Sequence, residues 1–305
     1  MYELIIIGGG PGGVTAGIYA ARKKIKTLLI TDGFGGQSMV SADISNWIGE
    51  QSISGYDLAK KMEDHLRVQE DIEIIDDEAV FSVQKTETGF SIVTKNKKIF
   101  ETKYILVASG SHRKKLGIPG ENEFDGKGVV YCSTCDAPIF KNKTVAVVGG
   151  GNSALESVMD LLPYAAKIYL LIRSEVLRGD PVTQDKIRQH PNVEILFNAV
   201  PQEIFGKEFV TGLRYKDTKS EEGKELLLDG VFVEIGLIPS SDFVKDVVKY
   251  DDNGAIIVNH ETQESSCFGI WAVGDVTNAL YKQNNISAGD AIKAVLNIHD
   301  HLKRQ

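Results

Sequence analysis

The sequence predicts an α/β chain built on two copies of one strand–turn–helix fold. Two observations carry that expectation: a strand–glycine-turn–helix segment occurs twice, about 140 residues apart, and each copy is followed by another short apolar strand. The first copy runs from Glu3-Leu4-Ile5-Ile6-Ile7 through Gly8-Gly9-Gly10-Pro11-Gly12-Gly13 into a helical pattern from Val14 to Arg22. The second runs from Thr144-Val145-Ala146-Val147-Val148 through Gly149-Gly150-Gly151-Asn152-Ser153-Ala154 into Leu155 to Leu162. β-Branched runs favour strands, glycines permit the sharp turn, and apolar residues three and four apart then mark a helix face.

The other elements follow in order. Lys26 to Thr31 is expected as a second strand ending at Asp32, and Asp71 to Phe100 as meander strands with turns at Thr88-Gly89 and Lys95-Asn96. Tyr104 to Ala108 reads as a buried strand, and Gly117-Ile118-Pro119-Gly120-Glu121 as a linker. In the second half, Lys167 to Ile172 and Val193 to Leu196 are strands, while Phe209 to Tyr215 and Glu225 to Phe232 read as an antiparallel pair. Gly269 to Asp275 is a strand and Ala288 to Leu302 a helix. Trp47 and Trp271 read as packing residues.

Length and composition bound the function. A chain of 305 residues fits about two domains. With 42% hydrophobic and 25% charged residues it is ordinary globular material. Net charge is −8 with no Lys/Arg run, which argues against a nucleic-acid partner. No apolar stretch approaches the length of a membrane helix. Leu4 to Ile7 is too short for a secretion signal and has no basic residues before it, so a cytoplasmic location is expected. Three cysteines argue against a structural disulfide framework.

Gly8-x-Gly10-x-x-Gly13 follows a strand and opens a helix, with Asp32 placed 19 residues beyond Gly13 at the end of the next strand. That context is the dinucleotide-binding fingerprint: glycines admit the pyrophosphate to the backbone, and the acid takes the ribose hydroxyls. Gly149-x-Gly151-x-x-Ala154 repeats it with the alanine variant. After the second copy the strand ends in Ile172-Arg173-Ser174, with Arg178 close by and no acid directly at the end. Arginines there pair with a 2′-phosphate and favour NADPH, with NADH the alternative; a solvated basic turn is the competing reading, and Glu175 works against the arginines.

Cys132-Ser133-Thr134-Cys135 has the spacing of a reversible disulfide whose thiolate forms near neutral pH. Half of a zinc site is the competing reading, but zinc wants four ligands, Cys267 is distant, and no histidine lies near the motif, so no metal is expected. Asp136, directly after Cys135, is a candidate proton donor or acceptor, against the plainer role of a solvated turn aspartate. Cys267 is expected to be inert.

Together these features resemble the low-molecular-weight thioredoxin reductases from end to end. Gly35-Gly36-Gln37 with Asn46-Trp47 looks like that family's flavin-ring loop. Ala108-Ser109-Gly110 resembles its Ala-Thr-Gly strand end, and Ile235-Gly236 with Pro239 its Ile-Gly-x-x-Pro crossover. Ala272-Val273-Gly274-Asp275 looks like the second FAD motif, and Lys282-Gln283 stands where the family has Arg-Gln. By this resemblance FAD is held at Gly8, Gly10, Pro11, Gly13, Asp32, Gly36, Gln37, Asn46, Ala108, Gly110, Gly274, Asp275, Lys282 and Gln283. NADPH is held at Gly149, Gly151, Asn152, Ser153, Ala154, Arg173, Arg178 and Gly236.

The resemblance implies two Rossmann-like three-layer domains. A discontinuous FAD domain spans 1–115 and 241–305, and an NAD(P)H domain, 116–240, is inserted into it and carries the CxxC. It also implies a homodimer. Electrons would pass from NADPH through FAD and Cys132–Cys135 to thioredoxin or a thioredoxin/glutaredoxin-like protein. Cys135 would face the flavin, Cys132 attack the partner and Asp136 manage protons, with the inserted domain rotating about linkers near Leu116 and Ser240.

Cys135-Asp136-Ala137 departs from the family's Cys-Asp-Gly, Pro138-Ile139-Phe140 replaces a more aromatic surface, and Ser174 replaces an arginine. Phe34-Gly35-Gly36-Gln37, Gln184-Asp185-Lys186 and Tyr281-Lys282-Gln283 also resemble the catalytic half of the flavoprotein component of alkyl hydroperoxide reductase. A reductase serving a glutaredoxin-like or peroxiredoxin system is therefore the alternative. A non-nicotinamide donor such as ferredoxin is a further one, which the intact second glycine turn opposes. A ferredoxin–NADP reductase of this fold would lack the CxxC, and a non-catalytic redox sensor would not turn over a disulfide substrate.

Overall fold

The computed structural model describes residues 1–41 and 44–304. The chain forms two compact units, one of Met1–Val40, Ile44–His112 and Ile238–Gln305, the other chiefly of Arg113–Leu237. Both are three-layer α/β folds with mostly parallel central sheets, as the sequence predicts.

In the first unit the strands Ile72–Ile75, Thr27–Phe34, Tyr2–Gly9 and Ile99–Val107 lie side by side in that order, all parallel, and Ile270–Ala272 adds a further parallel strand beside Ile99–Val107. Leu4 to Ile7 are almost wholly buried, the unbroken apolar run of a strand covered on both faces. Leu4 and Ile6 point into one core with Leu29, Leu106 and Trp271 and with the helices Pro11–Arg22 and Asn284–Lys303. Ile5 and Ile7 point into another with Leu28, Ile30, Ile105 and Val107. The strands Val80–Lys85 and Phe90–Thr94 extend the sheet as an antiparallel meander.

The second unit has the parallel order Val193–Leu196, Lys167–Leu171, Thr144–Val148, Gly230–Val233, Val129–Val130. A three-stranded antiparallel sheet, Ala199–Gly206, Val210–Asp217 and Gly223–Leu227, accompanies it. Its helix Asn152–Leu161 buries Ala154, Leu155, Val158 and Leu161 against the parallel sheet.

Four elements differ from expectation. Glu225 to Phe232 is not one antiparallel strand: Gly223–Leu227 pairs antiparallel with Val210–Asp217, and Gly230–Val233 enters the parallel sheet. Val231, Phe232 and Val233 are buried on both faces whereas Gly223–Leu227 is largely exposed, so one apolar stretch conceals two environments. The helix Gly55–Arg67 went unanticipated despite an N-cap, Ser54, whose hydroxyl accepts the Asp57 amide, and a buried stripe at Leu58, Ala59, Met62 and Leu66. The last helix begins at Asn284, four residues before Ala288. Gly117 to Glu121 is no slack linker but is folded into the second unit. Glu121 is 1% exposed, and its carboxylate accepts the amides of Leu116 and Gly117 at 2.8 and 2.7 Å and the Tyr131 hydroxyl at 3.1 Å.

Among the described residues no helix is long and apolar enough to cross a membrane. Because Glu121 satisfies three donors, two of them backbone amides, Glu121→Ala should destabilise the chain by about 2–4 kcal/mol. Urea unfolding would measure this, and an unchanged midpoint would refute the role given to that carboxylate.

Candidate functional site

The two glycine turns sit at matching places in their sheets. Ile7 is paired with Ile30 and Val107, and Val148 with Leu171 and Val233. One residue beyond each of Ile7 and Val148 lies a left-handed glycine, Gly8 with φ +118° and Gly149 with φ +152°. A Cβ on Gly8 would stand 2.3 Å from the Ala108 carbonyl oxygen, and one on Gly149 would stand 2.2 Å from that of Glu234. The turns therefore need glycine twice over, for φ and for the close approach of a neighbouring strand end. The same register makes Ala108-Ser109-Gly110 and Glu234-Ile235-Gly236 equivalent, with both terminal glycines at positive φ. Two residues beyond Ile30 stands Asp32, and two beyond Leu171 stands Arg173, so these side chains occupy corresponding slots.

In the first unit the turn opens onto a cleft of about 770 Å³ lined by Gly8, Gly10, Pro11, Asp32, Gly36, Gln37, Ala108, Gly110, Asp275 and Gln283. That volume is in the range of a cofactor pocket. A Cβ at Gly36 would meet only the Gly10 Cα, 3.6 Å away, and one at Gly10 would meet nothing within 4 Å, so missing side chains keep this end of the cleft open. The helix Pro11–Arg22 starts at the cleft, where its first amides can take a phosphate, and Asp32 is exposed at the rim. These features fit an adenine dinucleotide such as FAD. Gln37 is held there by donating to the Ser111 carbonyl.

Four expected residues stand outside the lining. Gly13 packs in the helix against Gly8, where a Cβ would overlap the Gly8 carbonyl at 1.8 Å. The Asn46 amide donates to the Gln283 side chain at 3.3 Å. Gly274, at φ +72°, leaves room for Ser287. Lys282 donates to the carbonyls of Asp275 and Thr277, and burial holds its ammonium pKa below the usual lysine value against the pull of Asp275.

In the second unit Gly151 caps the helix Asn152–Leu161 in extended backbone, Ser153 is exposed and Ala154 is buried against Gly149. The Arg178 amide donates to the Gly150 carbonyl at 2.8 Å, which brings that arginine beside the turn. The Asn152 side chain accepts the Asp180 amide at 2.7 Å. Arg173 and Arg178 are exposed, and Glu175, an acid nearby in sequence, pairs with Lys219 at 3.5 Å. Gly236, at φ +107°, lies at the neighbouring strand end.

Cys132 and Cys135 form a disulfide with Cα atoms 5.4 Å apart. Their four-residue turn is anchored by Ala137 and Phe140, whose ring packs edge-on to Phe232 at 5.0 Å. Gly230 permits that packing, since a Cβ there would overlap the Phe140 ring. Both cysteines are partly exposed. Asp136 is 9% exposed, and burial pushes its carboxyl up to about 6 while Arg113 pulls it down. Cys267, partly buried, belongs to the first unit, whereas this sulfur pair belongs to the second.

A family model for pyridine nucleotide-disulphide oxidoreductases matches residues 2–294. The chain belongs to that family. It is 41% identical to the F component of alkyl hydroperoxide reductase from Pseudomonas putida over 308 residues, 99% of this chain and 58% of that protein. It is 37% identical to the corresponding Staphylococcus aureus protein over 303 residues, 99% of this chain and 59% of that one. The chain thus spans somewhat under three-fifths of the length of these curated relatives. Among solved structures, thioredoxin reductase from Streptococcus pyogenes superposes with a TM-score of 0.90 at 32% identity, covering 100% of this chain and 99% of that one. The enzyme from Giardia duodenalis gives 0.89 at 30%, covering 99% of each.

Sequence reasoning missed two acids of the second unit. Glu234 follows the last residue of its strand and is only 10% exposed, with Arg113 Nη1 3.9 Å from its carboxylate. Burial pushes this group up to about 7, opposed by Arg113. Asp160 lies at the far end of the helix Asn152–Leu161. No motif flags either residue, and only the strand register brings Glu234 beside the glycine turn.

Asp136 binds a proton in the native state at a pH where the unfolded chain has released it. Its contribution to stability is therefore full below pH 3.8 and is lost as pH rises through about 6. Asp136→Asn should remove that loss, making the slope of stability with pH more positive between 4 and 6. At pH 7.5 it should add up to about 3 kcal/mol. Urea melts at pH 4.5, 6 and 7.5 would check this, and a variant with the parent's slope would sink it.

Proposed function

We propose that the chain is an NADPH-dependent flavoprotein disulfide reductase that delivers electrons through Cys132–Cys135 to a disulfide on thioredoxin or a thioredoxin-like protein. The observation that carries this reading is the disulfide itself, set in the fold that also holds the second glycine turn. Family membership and the likeness to thioredoxin reductases support it.

FAD and NADPH, when bound, supply the two-electron hydride chemistry. The chain's own residues bind and orient them: the glycine turns at Gly8 and Gly149 admit pyrophosphates, Asp32 takes ribose hydroxyls, and Arg173 with Arg178 offers positive charge to a 2′-phosphate. Glu175, which would oppose that phosphate, pairs with Lys219 at 3.5 Å, an exposed contact that offsets part of its charge. Once the pair is reduced, the Cys132 thiolate attacks the partner's disulfide, forming a mixed disulfide and releasing one partner thiolate. Cys135 then attacks Cys132 Sγ, which frees the second partner sulfur and re-forms the internal disulfide. Asp136, poised near pH 6 and adjacent to Cys135, takes up and returns the proton.

A second reading has its own support: the curated relatives are components of alkyl hydroperoxide reductases, so a glutaredoxin-like or peroxiredoxin-linked carrier is the alternative partner. In either case the assembly is proposed to be a homodimer.

Anaerobic addition of NADPH should bleach the bound flavin, with NADH at least tenfold less effective per unit concentration; a flavin indifferent to both nucleotides would refute the donor. Cys135→Ser should retain flavin reduction and lose at least a thousandfold in turnover of a protein disulfide. Parent-like turnover would end the assignment of that sulfur. Comparing thioredoxin with a glutaredoxin-like carrier as oxidant decides the partner.

A further inference from the structure

We propose that Asp160 is a positioning residue that keeps the cysteine turn closed and thereby sets how strongly reducing the Cys132–Cys135 pair is. Its carboxylate oxygen Oδ2 accepts the Ser133 hydroxyl at 2.8 Å and the Thr134 hydroxyl at 3.2 Å. Ser133 and Thr134 are the two residues between the cysteines, so one oxygen gathers the whole interior of the motif. Ser133 is 7% exposed and Asp160 is partly buried, and a carboxylate accepting hydroxyls in such a place makes stronger bonds than a neutral acceptor would.

Other ties on the turn hold its two ends. The Asp136 amide donates to the Cys132 carbonyl at 3.0 Å, while Ala137 and Phe140 enter the core. Asp160 instead reaches in from the last turn of the helix Asn152–Leu161. It fastens the middle of the motif, which would otherwise be freer to open once the sulfur–sulfur bond is broken.

Two effects follow, and both have the same sign. Holding the two cysteines at a separation of 5.4 Å between Cα atoms pre-organises the thiols for reclosure, which favours the disulfide. The negative charge of the carboxylate beside the motif disfavours a thiolate, and so disfavours the reduced state at neutral pH. Asp160 therefore makes the pair a stronger reductant toward its partner. It acts through Ser133 and Thr134, not by touching the partner or a cofactor.

This inference rests on reading Cys132–Cys135 as a reversible redox pair, and its test separates the two claims. The full chain is equilibrated with glutathione buffers, in which the protein disulfide and two glutathione thiols give the dithiol and one glutathione disulfide. Thiols are then trapped by alkylation and counted by mass. If the parent pair never titrates, both the redox reading and this proposal fall.

Given a titrating parent, Asp160→Ala should be reduced about tenfold more readily, a midpoint about 30 mV less negative for this two-electron couple. Asp160→Asn should move in the same direction. Ser133→Ala with Thr134→Val should shift the midpoint in the same direction by a smaller amount, since it removes the hydrogen bonds but leaves the carboxylate's charge, which keeps the test alive if an Asp160 variant fails to fold. Combining those changes with Asp160→Ala should add nothing further. A purely structural tie would lower thermal stability while leaving the midpoint within twofold of the parent. That result, or a shift toward a more reducing pair, would overturn the proposal.

Discussion

The close approach of a glycine turn to the end of the neighbouring parallel strand governs both units. Where Gly8 meets the Ala108 carbonyl and Gly149 meets that of Glu234, a single methyl group would overlap backbone. Strand, turn and helix are thereby fixed relative to one another before any ligand is considered. The positions of Asp32, Arg173, Gly110 and Gly236 follow from the register around those turns. The candidate binding groups inherit their places from a backbone contact, not from side-chain packing.

The contact was legible in the sequence because it leaves a spacing. Gly8-x-Gly10-x-x-Gly13 and Gly149-x-Gly151-x-x-Ala154 after β-branched runs specify a turn that few other residues tolerate, and Gly8, Gly10, Pro11 and Asp32 of the cleft follow from the first, whereas Gly36, Gln37, Ala108, Gly110, Asp275 and Gln283 were legible only through the family resemblance. The cysteine pair was legible for the same reason. Glu234 and Asp160 were not, since their roles come from neighbours distant in the chain: Arg113 for one, Ser133 and Thr134 for the other. The stretch Glu225 to Phe232 misled because hydrophobicity reports burial but not whether the paired strand is parallel or antiparallel; a two-residue turn divides it between two sheets. The helix Gly55–Arg67 carried a cap and a periodic stripe that the neighbouring glycine motifs overshadowed.

The second unit holds two acids that respond strongly to burial, one of them directly after Cys135. Asp136 and Glu234 are both pushed upward by desolvation, and Arg113 restrains both. Both feel the one guanidinium of Arg113, which stands 3.9 Å from the Glu234 carboxylate. A closer pairing would hold both acids ionised and leave no proton to exchange near neutral pH.

The matching slots of Asp32 and Arg173 carry opposite charge on otherwise equivalent backbone. A carboxylate at the first repels any molecule bearing an extra phosphate on its sugar, while a guanidinium at the second attracts it. In the proposed reading, this difference in sign, two residues beyond Ile30 and Leu171, would help tell the two nucleotides apart.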